Sequence, residues 1–206
     1  QNIGNIDPWE ENIQKIIFNF TVYDRNGYIN LNDSSAKANF SKTGYEQSRA
    51  NLTCSRITSQ SSGNYANYTC TIGMLYFDEG GDWNISISIE DNSKSFAINK
   101  STTFHYNYLT AISNPSFLDW GALAPGDINK PVNNNPVIAN NTGNVDIPSI
   151  KINATNLFNG TRFIDVGNFS VNSSDVGGNG NLLSNNVFVT IINSSLPSKN
   201  STSSGE

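Results

Sequence analysis

From Ile13 to Tyr23 polar and apolar side chains take turns along IQKIIFNFTVY, with Phe18, Phe20 and Val22 on one parity. A period of two over that length predicts a β-strand with one face in a core. The alternation returns at Tyr65 to Tyr76 and, most regularly, at Trp83 to Glu90, WNISISIE. Weaker strands are predicted at Tyr28 to Leu31, Ala36 to Phe40, Arg49 to Thr58, Ser95 to Ile98 and Thr102 to Ile112. In the last of these, Phe104, Tyr106 and Tyr108 share a parity. Asp24-Arg25-Asn26-Gly27 reads as a hairpin turn, and Asp78 to Asp82 as an acidic, glycine-rich one. Helical periodicity is almost absent. Seven or eight short strands punctuated by turn residues predict a β-sandwich over residues 13–113. Residues 1–12 form a lead-in that turns at Asp7-Pro8 and carries Trp9.

Asn114-Pro115 breaks the pattern, because proline biases the preceding residue towards extended geometry and interrupts regular structure. A new apolar set then begins with Phe117, Leu118, Trp120 and Leu123, and Pro125-Gly126-Asp127 makes a turn. Strands are predicted at Val137 to Ala139, Ile147 to Ala154, Phe163 to Val166, Asn168 to Val171 and Val187 to Ile192, with Val176 to Asn181 as a loop. Val187 to Ile192, VFVTII, is apolar on both parities and needs cover on both faces. No strand succeeds it before the polar end at Glu206. The expectation is therefore an all-β protein of two tandem immunoglobulin-like β-sandwich domains. The second, residues 114–206, either continues past Glu206 or is completed by a strand from another subunit.

Composition moves this fold out of the cytoplasm. Asn, Ser and Thr make up about a third of the 206 residues, while charged residues are only 14%, below the usual quarter or so. Solubility rests on amides and hydroxyls. A net charge of -5 with scattered basic residues disfavours nucleic acid and anionic membranes as partners. No apolar run approaches the ~18 residues of a membrane span. No signal peptide begins at Gln1, so export implies a processed end.

Acceptor motifs for N-linked glycans fall at Asn19, Asn32, Asn39, Asn51, Asn67, Asn84, Asn99, Asn140, Asn153, Asn159, Asn168, Asn172, Asn193 and Asn200. Asn19, Asn67 and Asn84 take the polar parity of their strands, where a sugar would face water. Cys54 and Cys70 are the only cysteines. The segments between them alternate around a Ser-Ser-Gly-Asn turn, so the two sulfurs could meet across a hairpin. Such a bond points to an oxidising compartment. The other reading is two buried thiols, and a zinc site would need two further ligands.

Candidate chemistry is sparse. His105, the single histidine, lies on the parity opposite Phe104 and Tyr106, and no Gly-x-Ser-x-Gly elbow accompanies it. It reads as a surface residue. Asp78, Glu79 and Asp82 could supply the acid and base of a glycosidase, although a solvated turn is the simpler reading. Asp24, Asn26, Asn30 and Asp33 resemble part of a calcium loop whose first position would be Val22, which offers no side-chain oxygen. Asp175 to Asn181 could also gather oxygens around a structural calcium ion. Neither stretch is assigned as a metal site, and no cofactor is expected. Tyr65, Tyr68, Tyr76, Tyr106 and Tyr108 could stack on sugars, but most share the inward parity of their strands.

The run Trp120-Gly-Ala-Leu-Ala-Pro-Gly-Asp127, followed by Asn141-Thr-Gly-Asn144, resembles the second half of archaeal cell-surface proteins with immunoglobulin-like modules. It is also similar to extracellular fibre subunits of the TasA and bundling-pilus type. Tyr68-Thr-Cys70, Gly81-Asp-Trp83 and Phe104-His-Tyr106 resemble the preceding module. The resemblance implies a secreted, non-enzymatic subunit of a surface layer or filament, in which one protomer's strand completes the sheet of the next. Val187 to Ile192 and the lead-in around Ile3 to Trp9 are the candidate donors. The hydrophobic amino-terminal helix of type IV pilins is missing, so assembly in that mode is not expected. The alternatives are an adhesin or carbohydrate-binding module of a larger surface protein and, last, a secreted hydrolase.

Overall fold

The computed structural model describes residues 3–45, 47–173 and 180–199. The chain is all-β and divides into two units. One comprises Gln1–Leu109 with Gly143–Val145, the other Thr110–Thr142 with Asp146–Glu206.

The first unit is a sandwich of two sheets. Its strands are β1 (Asn5–Ile6), β2 (Ile13–Tyr23), β3 (Leu31–Ser41), β4 (Arg49–Asn51), β5 (Ser55–Arg56), β6 (Tyr65–Leu75), β7 (Gly81–Asp91) and β8 (Phe96–Tyr106). One sheet has the order β1-β8-β7-β3-β4, the other β2-β6-β5. Alternation decides which side chains meet between them. In β6, Ala66, Tyr68, Cys70, Ile72 and Met74 are all buried, and the intervening residues are not. They pack with Ile16 and Phe18 of β2 against Phe40, Trp83, Ile85 and Phe104 of the other sheet. Burying a side chain of this size contributes about 1.5–3 kcal/mol. The core is therefore the main source of stability. β2 and β6 pair antiparallel over eleven residues each, from Ile13↔Leu75 to Tyr23↔Tyr65.

Four local expectations are corrected. Asp24 to Gly27 is not a hairpin turn, because β2 and β3 belong to different sheets. Asp24 Oδ1 accepts from the Asn26 N–H at 2.7 Å, and Gly27 takes φ 102°, a region open to glycine. The chain then passes through a 3-10 turn at Tyr28–Asn30, where a strand was expected, and crosses to the facing sheet. Second, Asn32 to Ser35 does not separate two strands. Three residues bulge out of β3 between the Asn32↔Glu90 and Lys37↔Ser88 pairs. Ser35 Oγ holds the bulge by donating to Asn32 O at 2.6 Å and accepting from Glu90 N at 2.8 Å. Third, the two strands expected at Ser95 to Ile98 and Thr102 to Ile112 are one, Phe96–Tyr106, because a bulge between the Ile85↔Thr102 and Ile87↔Asn99 pairs absorbs the extra residue.

The fourth concerns the cysteine hairpin. Its first arm splits, with β4 pairing to β3 in one sheet and β5 to β6 in the other. The pair Ser55↔Thr69 places Cys54 opposite Cys70, and the two are disulfide-bonded with Cα atoms 4.7 Å apart. The bond therefore lies within one sheet and is buried. Cys54 N–H also donates to Ala36 O at 2.8 Å, which ties the crossing to β3 of the facing sheet.

The second unit contains β9 (Ile112–Ser113), β10 (Asn140–Asn141), β11 (Lys151–Asn153), β12 (Leu157–Asn159), β13 (Arg162–Ile164), β14 (Ser170–Val171), β15 (Asn181–Leu182) and β16 (Phe188–Thr190). They form four separate two-stranded ladders, β9 with β10, β11 with β16, β12 with β13 and β14 with β15. Among its described apolar side chains only Val166 and Leu196 are buried, while Phe158, Phe163, Val187 and Phe188 are exposed. Two-stranded ladders are marginal in water without a covering layer.

Replacing Cys54 and Cys70 together by alanine removes a cross-link that closes a short loop. Urea denaturation is expected to show a loss of about 3 kcal/mol on the chain-entropy model. An unchanged midpoint would mean that the first unit draws nothing from the bond.

Candidate functional site

The first unit is closed along one side and open along the other. β2 is the outer strand of its sheet, and its far edge carries no strand among the described residues. Across the sandwich, β1 covers β8 only at His105 and Tyr106, in a short parallel pairing. On the side away from β7, the first half of β8 has no strand beside it among the described residues. Between these edges lies a groove of about 350 Å³ lined by Phe18, Phe20, Val22, Ile85, Ile87 and Ile89, and also by the polar Asn19, Thr21, Asn99 and Thr102.

Parity explains the lining, since the inward rows of β2 and β7 continue past the end of cover. No carboxylate, amine, imidazole or thiol lines the groove. It offers a largely apolar lining beside two sheet edges that carry no further strand among the described residues, a setting in which an extended chain could add by strand pairing.

The two ends of the sandwich hold polar clusters. Asp78, fully buried, follows β6. Arg49 of β4 donates to it through Nε at 2.8 and 3.1 Å and through Nη2 to Oδ1. Leu75 N–H adds a bond at 2.7 Å, and Tyr45 O–H one at 3.4 Å. Asn144 Nδ2 donates to the Asp78 carbonyl and to Asn107 O, both at 3.0 Å. At the other cluster, Arg56 pairs with Asp33 at 2.6 Å and lies over the rings of Tyr28 and Tyr68. Tyr68 O–H donates to Asp33 at 2.7 Å.

These surroundings alter proton affinities. Burial, then the charge of Asp78, pushes the Tyr45 phenol up to about 12. Burial, then the hydrogen bond to Asp33, pushes Tyr68 up to about 12. Burial and the charge of Asp78 also raise Tyr106. Hydrogen bonds to Asp78 hold the Arg49 guanidinium above its ordinary value.

The solvated-turn reading of Asp78, Glu79 and Asp82 is corrected for Asp78, whose carboxylate is consumed by Arg49 and Leu75 rather than by water. Glu79 and Asp82 are exposed. Asp82 Oδ1 lies 2.7 Å from His105 Nδ1, and that half-buried imidazole packs edge-on to Tyr108. Asp24 is engaged by Asn26 and Asn30, and Asp33 by Arg56 and Tyr68, so both carboxylates of the calcium-like stretch already have protein partners. Most of Asp175 to Asn181 lies outside the described residues. Of the five tyrosines considered for sugar stacking, Tyr68 and Tyr106 are core residues, Tyr76 is half-buried, and Tyr65 and Tyr108 are exposed. Tyr65 pairs instead with Tyr23, ring centres 5.2 Å apart.

Of the acceptor asparagines, Asn19, Asn99, Asn153, Asn159, Asn168 and Asn193 are exposed. Asn32, Asn39, Asn51, Asn67, Asn84, Asn140 and Asn172 are half-buried, and Asn200 lies outside the described residues.

The sequence reading missed both the groove and the Arg49–Asp78 pair. The one local signal for the groove was the polar run Asn99-Lys100-Ser101 inside a strand whose sheet neighbour Ile87 is apolar. Comparison with protein-family models, curated proteins and solved structures finds no match. No helix among the described residues is long and apolar enough to cross a membrane.

Replacing Asp78 by alanine strands the Arg49 guanidinium, 17% exposed, beside an empty site. The expected loss is at the lower end of the ~3–5 kcal/mol typical of a broken buried pair. Denaturant titration at neutral pH checks it, and a loss below about 1 kcal/mol, the value of an exposed pair, would contradict the assignment.

The raised tyrosines make a separate alkaline prediction. In the unfolded chain these phenols ionise near 10.0, whereas the fold keeps Tyr45 and Tyr68 protonated to about 12. The unfolded state thus releases protons first, and stability falls as pH rises from 10 towards 12. Tyrosinate absorbance should show a late fraction that appears together with loss of near-ultraviolet circular dichroism. Tyr45→Phe should shrink both that fraction and the alkaline loss.

Proposed function

We propose that this chain is a non-enzymatic, N-glycosylated structural subunit of an extracellular filament or surface layer, assembled by β-strand complementation between copies. The observation that carries the reading is the largely apolar groove between the edge of β2 and the outer edge of the first half of β8, neither of which has a further strand among the described residues. Of the two candidate donors, the lead-in already uses Asn5 and Ile6 on β8 of its own chain. Val187 to Ile192 is the better occupant, since Val187, Phe188 and Ile192 are exposed and β16 pairs with β11 alone among the described strands. In this reading the second unit is an immunoglobulin-like sandwich left incomplete until assembly, which accounts for its uncovered apolar residues. The disulfide suits an oxidising extracellular site, and the low charge and amide-rich surface suit a subunit that packs closely with its copies. The resemblance to archaeal surface and fibre proteins points the same way. The second reading, an adhesin or sugar-binding module, draws on the exposed Tyr23–Tyr65 pair.

The test is the state of association at rising concentration, read by sedimentation and electron microscopy. The native chain should form polymers. Phe188→Asp should remain monomeric with its circular dichroism unchanged, because Phe188 is 67% exposed and its loss costs no core. A native chain that stays monomeric would end the filament reading, and saturable binding to a glycan array, lost in Tyr65→Ala, would favour the second.

A further inference from the structure

The outward face of the β2–β6 ladder carries two acceptor motifs, Asn19-Phe20-Thr21 and Asn67-Tyr68-Thr69. Their register is reciprocal, with Asn19 opposite Thr69 and Thr21 opposite Asn67. Each asparagine therefore lies across from the hydroxyl residue of the other motif, and the two compete for one patch of sheet.

Their environments differ. Asn67 is half-buried and committed. Its Nδ2, the atom that would carry a sugar, donates to Gln60 O at 2.7 Å, and its Oδ1 accepts from Thr21 Oγ1 at 2.5 Å. The backbone N–H of Asn67 donates to Ser61 Oγ at 3.1 Å, so this residue fastens β6 to the turn at Thr58–Gln60. Asn19 is exposed on the outer strand, and its side-chain amide has no hydrogen-bond partner among the described residues. Opposed pairs and their diagonals on one sheet face are about 4.5–8 Å apart, too close for two branched glycans to lie side by side without displacing one of them.

We propose that Asn19 is a glycan-bearing site of the folded chain and that Asn67 is a structural residue kept bare, the choice being imposed by the interlocked motifs. This rests on the exported-glycoprotein reading above. A sugar on Asn19 leaves every contact of the ladder in place. A sugar on Asn67 Nδ2 crowds the bond to Gln60 O and pushes into Thr21. The Thr21 hydroxyl is spent on Asn67 once the strands pair, so transfer to Asn19, in which Nδ2 loses a proton and displaces the phosphate leaving group of a lipid-linked glycan donor, precedes pairing of β2 with β6.

Site-resolved peptide mass spectrometry of the full chain tests this in two samples, native material and the chain secreted by a host that supplies N-glycans. Asn19 is expected to be occupied and Asn67 bare in both. Without any sugar, Asn67→Gln is expected to lower the unfolding midpoint, with the loss of two hydrogen bonds worth roughly thirty-fold in the folded ratio. Asn19→Gln should leave the midpoint unchanged. Occupancy of Asn67 equal to that of Asn19, a bare Asn19 in the glycosylating host, or equal stability of the two variants would overturn the assignment. Bare asparagines throughout the native material, with Asn19 modified in the glycosylating host, would count against the glycoprotein reading and uphold the choice between the two sites.

Discussion

A carboxylate with no access to water has to be matched atom by atom, and the architecture of the first unit turns on how Asp78 is matched. Its charge is met by Arg49, its second oxygen by the Leu75 N–H, and its carbonyl by Asn144. Arg49 belongs to the five-stranded sheet and Leu75 to the three-stranded one, so this one side chain joins the two layers where β6 turns towards β7. Hydrophobic burial would hold the layers together without it, but apolar contact is indifferent to small slides. A fork of charged hydrogen bonds is not. It sets the layers' alignment, and with it which inward side chains run on past the covered core to become the floor of the groove.

The unit is asymmetric as a result. Along one flank the disulfide and the crossing between β4 and β5 close the sandwich. Along the other, two strand edges face one another across an apolar gap. Exposed edges invite pairing with other chains, and soluble proteins usually blunt them. Here the positions beside the gap carry Asn19, Thr21 and Asn99 together with the exposed Tyr23 and Ile98, while the inward floor stays apolar. The second unit, with ladders in pairs and phenylalanines in the open, has the complementary shortage: strands without enough layers.

How much of this was legible depended on whether the deciding partner was local. β2 and β6 could be read to the residue or nearly so, because a period-two pattern over eleven positions has one interpretation when one face is buried. β8 was broken in two at Asn99-Lys100-Ser101, since a polar run looks like a loop; the β7 ladder, which no local pattern reports, keeps it extended. Asp24 to Gly27 shows a turn but not which sheet the chain turns into. Asp78 sits in a stretch, DEGGD, that reads as solvent-facing, and its burial is decided by an arginine 29 positions earlier. The groove was least legible, because a missing neighbour leaves no mark on the residues that lack it.

The shielding of the Arg49–Asp78 pair has a consequence for the medium in which the protein works. Dissolved ions weaken attractions between charges that water can reach, within a Debye length of about 8 Å at physiological strength. A fork closed off behind two sheets is largely out of their reach, and a surface carried by amides and hydroxyls has little long-range repulsion to lose. Brine that would loosen a fold laced with surface ion pairs leaves this one's alignment intact, and strengthens the apolar contacts that a second chain in the groove would make.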